Sequence, residues 1–129
     1  MTVRRFGSDA LFDGGFAYGS RVSGEQLFTA GISPLDEHGT VVAPGDPIAQ
    51  TAHVVELLAT LLAEQGSSVD DIAKLTVYVE TADRADVAAV WGAVEEAFAG
   101  ATPPAVIAAV TVLPYPGQRI EIDAVTVAR

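Results

Sequence analysis

The stretch that decides the fold is Lys74-Leu75-Thr76-Val77-Tyr78-Val79-Glu80, in which apolar and polar side chains alternate. Successive side chains of a β-strand point to opposite faces of its sheet, so this period of two predicts a strand with one apolar face. Segments with a helical pattern stand on both sides of it in the chain. The surrounding order of elements therefore determines how the two faces of this strand are covered.

Two helices are predicted around this strand. Asp46-Pro47 supplies an N-cap residue followed by proline in the first turn, and an apolar stripe with helical period then continues until Gly66. Ser68-Val69-Asp70-Asp71 resembles a small capping box before the strand. Asp83 is a second N-cap candidate, and the helix that follows it ends at Gly100. Each helix presents an apolar stripe that a sheet face can bury.

The remaining β-type runs are predicted to form two hairpins. Residues 16–22 and 27–32 flank a short polar connection, and residues 105–113 and 119–127 flank Pro114-Tyr115-Pro116-Gly117. An extra strand is possible at Val3–Phe6. The order ββ-α-β-α-ββ predicts an α+β fold, a mixed sheet with two helices packed on one face. Because two helices cover only one face, the other face must meet solvent, a ligand or another subunit, and we expect self-association.

The composition excludes several classes of function. A chain of 129 residues and 13.3 kDa fits one domain over residues 1–129, and a formal net charge of −10 disfavours nucleic acid and anionic membranes as partners. The absence of cysteine removes disulfides and thiolate chemistry. His38 and His53 are isolated, so neither a metal site nor any other cofactor is expected. No apolar run suits a signal peptide or a membrane span, and we expect a cytoplasmic protein.

Three separated stretches carry a family resemblance. They are Tyr18, Thr102-Pro103-Pro104-Ala105 and Ile120-Glu121-Ile122-Asp123-Ala124, supported by Phe28–Leu35 and Gly66–Val79. This arrangement resembles the RidA/YjgF family of enamine and imine deaminases over nearly the whole chain from about Phe16. The resemblance implies a chorismate-mutase-like fold and a homotrimer packed through its sheets, with ligand clefts at the subunit interfaces.

The resemblance also implies the site residues. Glu121 matches the family's glutamate that positions the hydrolytic water, and substrate contacts fall on Tyr18, Gly31, Val106 and Ala108. The family's Pro-Ala-Arg motif, whose arginine binds the substrate carboxylate, here ends in Val106. Valine offers neither charge nor donor, so the usual 2-imino acid substrate is in doubt. In the second helix, Ala88 stands where related sequences have asparagine, and Trp91 where they have tyrosine.

Another cation could take the role of the missing arginine. The two candidates are Arg21 and Arg119, each reaching the cleft of its own chain or of a neighbouring chain. Strand alternation argues against Arg21 sharing the face of Tyr18 unless Gly19 permits a bulge. It also places Arg119 on the face of Glu121, where an ion pair between them or simple exposure is the alternative role of this glutamate.

Two functions remain open. One is a RidA-like hydrolase that deaminates small imine or enamine metabolites with a specificity altered by Val106. The alternative is a non-catalytic trimeric module that binds small metabolites in its clefts. Both use a small-molecule ligand at subunit interfaces and require neither nucleic acid nor membrane.

Overall fold

The computed structural model describes residues 2–128, so Met1 and Arg129, the ends of the predicted domain, lie outside the described residues. These residues form an α+β fold whose elements, in chain order, are β1 (Thr2–Phe6), β2 (Gly19–Ser23), β3 (Gln26–Phe28), α1 (Pro47–Glu64), a 3₁₀ helix (Val69–Asp71), β4 (Ile72–Glu80), α2 (Arg84–Ala97), β5 (Ala105–Val110) and β6 (Ile120–Val127).

Strand β4 lies inside a four-stranded mixed sheet of order β3-β6-β4-β5. It runs antiparallel to β6 and parallel to β5. The side chains of Leu75, Val77 and Val79 are fully buried, whereas Thr76 and Tyr78 between them are only half-buried. The alternation that predicted this strand is therefore confirmed, and it separates a covered face from an open one.

Both helices begin where the sequence places them. The Asp46 carboxylate accepts hydrogen bonds from the backbone N–H groups of Ile48 and Ala49, and the Asp83 carboxylate accepts one from Ala85. These carboxylates satisfy donors that the first helical turn leaves without partners. The two helices pack on each other and on the covered sheet face, and their fully buried contributions to that core are Val54, Leu58, Val90 and Val94.

The predicted closing hairpin of residues 105–113 and 119–127 is wrong. Strands β5 and β6 lie on opposite sides of β4 and do not pair with each other. The connection between them passes the end of β4, where the Glu80 N–H donates to the Arg119 carbonyl at 2.9 Å and the Glu80 carboxylate accepts from Leu113 N–H at 3.2 Å. A turn-rich connection of this length can span one strand, about 10 Å, as well as make a hairpin.

The predicted pairing of residues 16–22 with 27–32 is also wrong. Strand β2 pairs with β1 in a separate two-stranded sheet, and β3 pairs with β6. The extra strand expected near Val3–Phe6 is confirmed as β1. Its partner β2 reaches the main sheet through the Ser20 hydroxyl, which donates to the Ala73 carbonyl at 2.8 Å.

Arg5 fastens the two-stranded sheet to the rest of the domain. Its guanidinium donates to the carbonyls of Ala101 at 2.6 Å and Ile72 at 3.2 Å. Burial lowers the pKa of this guanidinium, and the nearby charge of Asp70 partly offsets that effect. We assign Arg5 a structural role, because its guanidinium donates hydrogen bonds to backbone carbonyls.

Candidate functional site

The open face of the four-stranded sheet brings together several residues that the sequence singled out. The register sets Tyr78 of β4 opposite Glu121 of β6 and beside Ala108 of β5, and it sets Thr76 opposite Asp123 and beside Val106. Paired residues point to the same side of a sheet. Glu121, Val106 and Ala108 therefore share the face that no helix covers.

Glu121 is held by a chain of hydrogen bonds. Ser33 Oγ donates to Glu121 Oε1 at 3.2 Å, and Gln118 Nε2 donates to Ser33 Oγ at 2.9 Å. The Gln118 side chain is fully buried; it also donates to the Ile120 carbonyl at 2.9 Å, and its Oε1 accepts from Tyr115 N–H at 3.2 Å. The chain of hydrogen bonds therefore fixes the position of the Glu121 carboxylate, which accepts from the Ser33 hydroxyl.

Gly31 lies directly against this carboxylate. A Cβ atom at position 31 would stand 2.7 Å from both Cδ and Oε2 of Glu121, closer than nonbonded atoms approach. The glycine therefore makes room for the carboxyl group of Glu121, a half-buried residue on the open face. The structure places Gly31 beside Glu121, whereas the family resemblance implies only that Gly31 contacts the substrate.

Tyr18 and Val106 line a different part of the surface, a cavity of about 630 Å³. The Tyr18 hydroxyl donates to the Phe12 carbonyl at 2.7 Å, and its ring lies 5.0 Å from that of Phe16 at a tilt of 58°. Val106 is 47% exposed. The tyrosine ring and the valine thus offer an apolar wall at the position where the resemblance expects an arginine.

Within one chain the predicted site is divided into two groups. Glu121 lies on β6 and Val106 on β5, with β4 between them, so their backbones are separated by roughly 10 Å across the sheet. Glu121 does not line the cavity of Tyr18 and Val106. Ala108, which pairs with Tyr78 as Glu121 does, lies outside this cavity as well. A ligand of metabolite size meets one group or the other on a single chain.

Within its own chain, neither candidate arginine replaces the arginine that is missing at position 106. The Arg119 guanidinium donates to the carbonyls of Glu80 at 2.7 Å and Gly45 at 3.2 Å, and it pairs with Asp86 at 3.3 Å. It makes no ion pair with Glu121 among residues 2–128. Arg21 lies opposite Arg4 on the outer face of the two-stranded sheet, while its neighbours Ser20 and Val22 face the cavity. Ala88 is exposed on α2.

Sequence reasoning missed three polar residues near these groups. Ser33 and Gln118 form the support of Glu121, although 85 positions separate them in the chain. Lys74 lines the cavity of Tyr18 and Val106. No local pattern marks Ser33 or Gln118, but the alternation of β4 did place Lys74 on the polar side of that strand.

A second cavity, of about 650 Å³, lies between the loop at Phe16 and the second half of α2. Trp91 and Ile107 form part of its wall. Arg5, whose guanidinium donates to backbone carbonyls, is the one arginine among the described residues that line it. Residues 2–128 contain no group of three or more His, Asp or Glu side chains arranged to hold a metal ion. None of the helices in this part of the chain is long and apolar enough to cross a bilayer.

These features define a class: a small α+β domain with two helices on one face of a mixed sheet and a supported carboxylate on the other. The family model described as endoribonuclease L-PSP matches residues 14–128. A RutC family protein of Pyrococcus abyssi is 33% identical over 102 residues, which cover 79% of this chain and 78% of that protein. The 3-aminoacrylate deaminase RutC of Acinetobacter baylyi is 44% identical over 46 residues, 36% of each chain.

The similar solved structures belong to the same family as these sequence relatives. YyfB of Yersinia pestis, a conserved Rid family protein of unknown function, has a TM-score of 0.84 and 27% identity, covering 98% of this chain and 99% of that one. The YjgF gene product of E. coli has a TM-score of 0.69 and 29% identity, covering 92% and 91%. E. coli TdcF with bound serine has a TM-score of 0.70 and 26% identity, covering 88% of each chain. The chain belongs to the RidA/YjgF family, which confirms the resemblance and the fold class drawn from the sequence.

Proposed function

We propose that this protein is a hydrolase that deaminates small imine or enamine metabolites and releases ammonia. The observation that carries the proposal is the Glu121 carboxylate, which Ser33 and Gln118 hold against Gly31 on the open sheet face. A carboxylate held in position by hydrogen bonds and open on one side is suited to orient and deprotonate a water molecule. The similarity to a relative named as a 3-aminoacrylate deaminase supports the same class of reaction.

The reaction needs one base and no cofactor. An enamine first tautomerises to its imine. The oxygen of water then bonds to the imine carbon, its proton passes to Glu121, and the nitrogen takes a proton from solvent to give a carbinolamine. Glu121 returns its proton to the nitrogen, the C–N bond breaks with its electron pair on ammonia, and the hydroxyl proton leaves as the carbonyl forms. Imine and water are thereby converted to a carbonyl compound and ammonia.

Val106 supports a specificity different from that for 2-imino acids. A guanidinium binds a carboxylate through two parallel hydrogen bonds, and an isopropyl group makes none. With Tyr18 beside it, Val106 favours a substrate with an apolar part. The net charge of −10 opposes binding of RNA, so the family description does not lead us to propose a ribonuclease.

The proposal includes a homotrimer in the cytoplasm. Phe28 and Val106, both on the open side of the sheet, are 72% and 47% exposed, and contact with another copy of the chain would cover such surface. It would also bring the Glu121 group of one chain towards the Tyr18 group of the next, forming a complete cleft from two halves. Sedimentation equilibrium tests the assembly directly, and a monomer at micromolar concentration would contradict it.

Ammonia release from 2-aminoacrylate, 3-aminoacrylate and an uncharged enamine, each generated in situ, tests the activity. We expect Glu121→Gln to lower kcat by about 100-fold or more while the fold is retained. Glu56→Gln, on the exposed side of α1, removes the same charge and serves as the matched control with unchanged kcat. Unchanged turnover in Glu121→Gln would exclude the assigned role.

The second candidate is a binding module without turnover, and the exposed Val106 at the arginine position is the observation that favours it. It predicts no ammonia release above the uncatalysed rate from any of the three substrates. It also predicts that a small metabolite raises Tm in the wild type and in Glu121→Gln alike. Turnover that depends on Glu121 would rule it out.

A further inference from the structure

Of the described residues that line the cavity of Tyr18 and Val106, Lys74 is the one with a charged side chain. The register places Thr76 beside Val106 and Lys74 opposite Val125, so Lys74 lies one diagonal step from Val106 on the open face. From the spacing and rise of strands, their Cα atoms are about 8 Å apart, within reach of a lysine side chain. The cavity thus has a cation, but on β4 rather than at position 106.

Among residues 2–128, no carboxylate forms an ion pair with the ammonium group of Lys74. The ion pairs within residues 2–128 are His38 with Glu37 and Arg119 with Asp86, and Lys74 takes part in neither. It is the only lysine in a chain of formal net charge −10. In such a field an anion is repelled from most of the surface, so an unpaired cation against an apolar wall is a favourable place for one.

The alternative to a ligand-binding role is that Lys74 only offsets the negative charge of the neighbouring Asp123. It lies on the same face, opposite Thr76 and one diagonal step from Lys74. The two side chains are not within ion-pair distance, however. Asp123 therefore competes for the ammonium group without neutralising it by direct contact.

We propose that Lys74 takes the anionic group of the ligand, so that the cavity binds small monocarboxylates whose apolar part packs on Val106, Val125 and the Tyr18 ring. The inference deepens the proposed function and rests on it for the reaction, but not for binding. An ammonium group is a point charge that does not impose the two-bond geometry of a guanidinium. The site accordingly selects for negative charge and tolerates different carboxylate orientations.

The test compares crotonate with crotonamide, which have nearly the same shape and differ in charge. By calorimetry, we expect Lys74→Met to weaken crotonate binding by about 10-fold or more and to change crotonamide binding by less than about 2-fold. Lys74→Arg should retain the preference for crotonate. Arg84→Met, an equal loss of charge at the exposed start of α2, should leave both affinities within about 2-fold.

A spectroscopic readout on the unsubstituted chain guards against a folding defect in the variant. Reductive dimethylation with ¹³C-formaldehyde labels one lysine, Lys74, besides the N-terminus. Its methyl resonance should shift on addition of crotonate and stay in place with crotonamide. No shift with crotonate, equal affinities for the two probes, or an equal loss in Arg84→Met would each overturn the assignment.

The outcomes separate this inference from the proposed function. Glu121→Gln should lose turnover yet bind crotonate as the wild type does. If no turnover is found but crotonate binding depends on Lys74, the proposed hydrolase activity is excluded and the carboxylate site at Lys74 is retained. Turnover that depends on Glu121, with a KM for anionic substrates that Lys74→Met does not change, would remove the carboxylate site alone.

Discussion

The two faces of the four-stranded sheet use the same strands for different purposes. On the covered face, Leu75, Val77 and Ile122 are fully buried beneath α1 and α2. On the open face, the alternate residues Val106, Glu121 and Lys74 face away from the helices and are half-buried or exposed. One face therefore determines stability through buried area, and the other holds the residues to which we assign binding and chemistry. Substitutions on the two faces should affect different measurements.

The largest expected effect contrasts one residue from each face. Ile122→Ala removes a fully buried side chain and should lower the free energy of unfolding by about 2 to 5 kcal/mol. Val106→Ala, at a residue that is 47% exposed in the single chain and lines a cavity, should lower it by about 1 kcal/mol or less even where a second copy covers part of this surface. Urea denaturation at one protein concentration measures both, because assembly would make the midpoint depend on concentration. Similar losses at the two positions would show that both faces are covered in the folded protein.

The second prediction concerns the hydrogen-bond chain that supports Glu121 on the open face. Ser33→Ala removes the hydroxyl between Gln118 and Glu121, so the free energy of unfolding should fall by about 1 kcal/mol. Because Glu121 loses the donor that orients it, kcat for ammonia release should fall by about 10-fold. Chemical denaturation and the ammonia assay give the two values.

Ser23→Ala is the matched control for this change. Its hydroxyl shares an exposed hydrogen bond with Thr2, so its removal should leave kcat unaltered. Ser33→Thr, which keeps the hydroxyl, should restore much of the lost activity. A normal kcat in Ser33→Ala would mean that Glu121 is positioned without the chain.

The sequence predicts the covered face better than the open one, for a physical reason. A capping carboxylate such as Asp46 or Asp83 acts within one turn, and the alternation of β4 is local as well, so both are legible in sequence. Strand partners are chosen by the whole sheet. The turn signals around Pro114-Tyr115-Pro116-Gly117 fit a crossing of β4 as well as a hairpin, which is why the closing hairpin was predicted wrongly.

The candidate site divides in the same way. Alternation placed Glu121 on a polar face, and the family resemblance added its role and that of Gly31. Ser33 meets Gln118 only after folding, so no sequence spacing marks this contact. Lys74 stood in the strand that decided the fold, but its place beside Val106 follows from the parallel pairing of β4 with β5.

The smallest expected effect tests whether Arg21 belongs to the open face or only to the two-stranded sheet. Arg21 lies directly opposite Arg4, and like charges at paired positions repel. Arg21→Thr should therefore raise the free energy of unfolding by about 0.2 to 1 kcal/mol at low ionic strength. The gain should disappear in concentrated salt, where charges at this separation are screened. If Arg21 instead reaches the cleft of a neighbouring chain, the same variant would raise the KM for anionic substrates, and Lys74 would share its role with an arginine. Urea denaturation at two salt concentrations and the ammonia assay together decide between the two positions of this guanidinium.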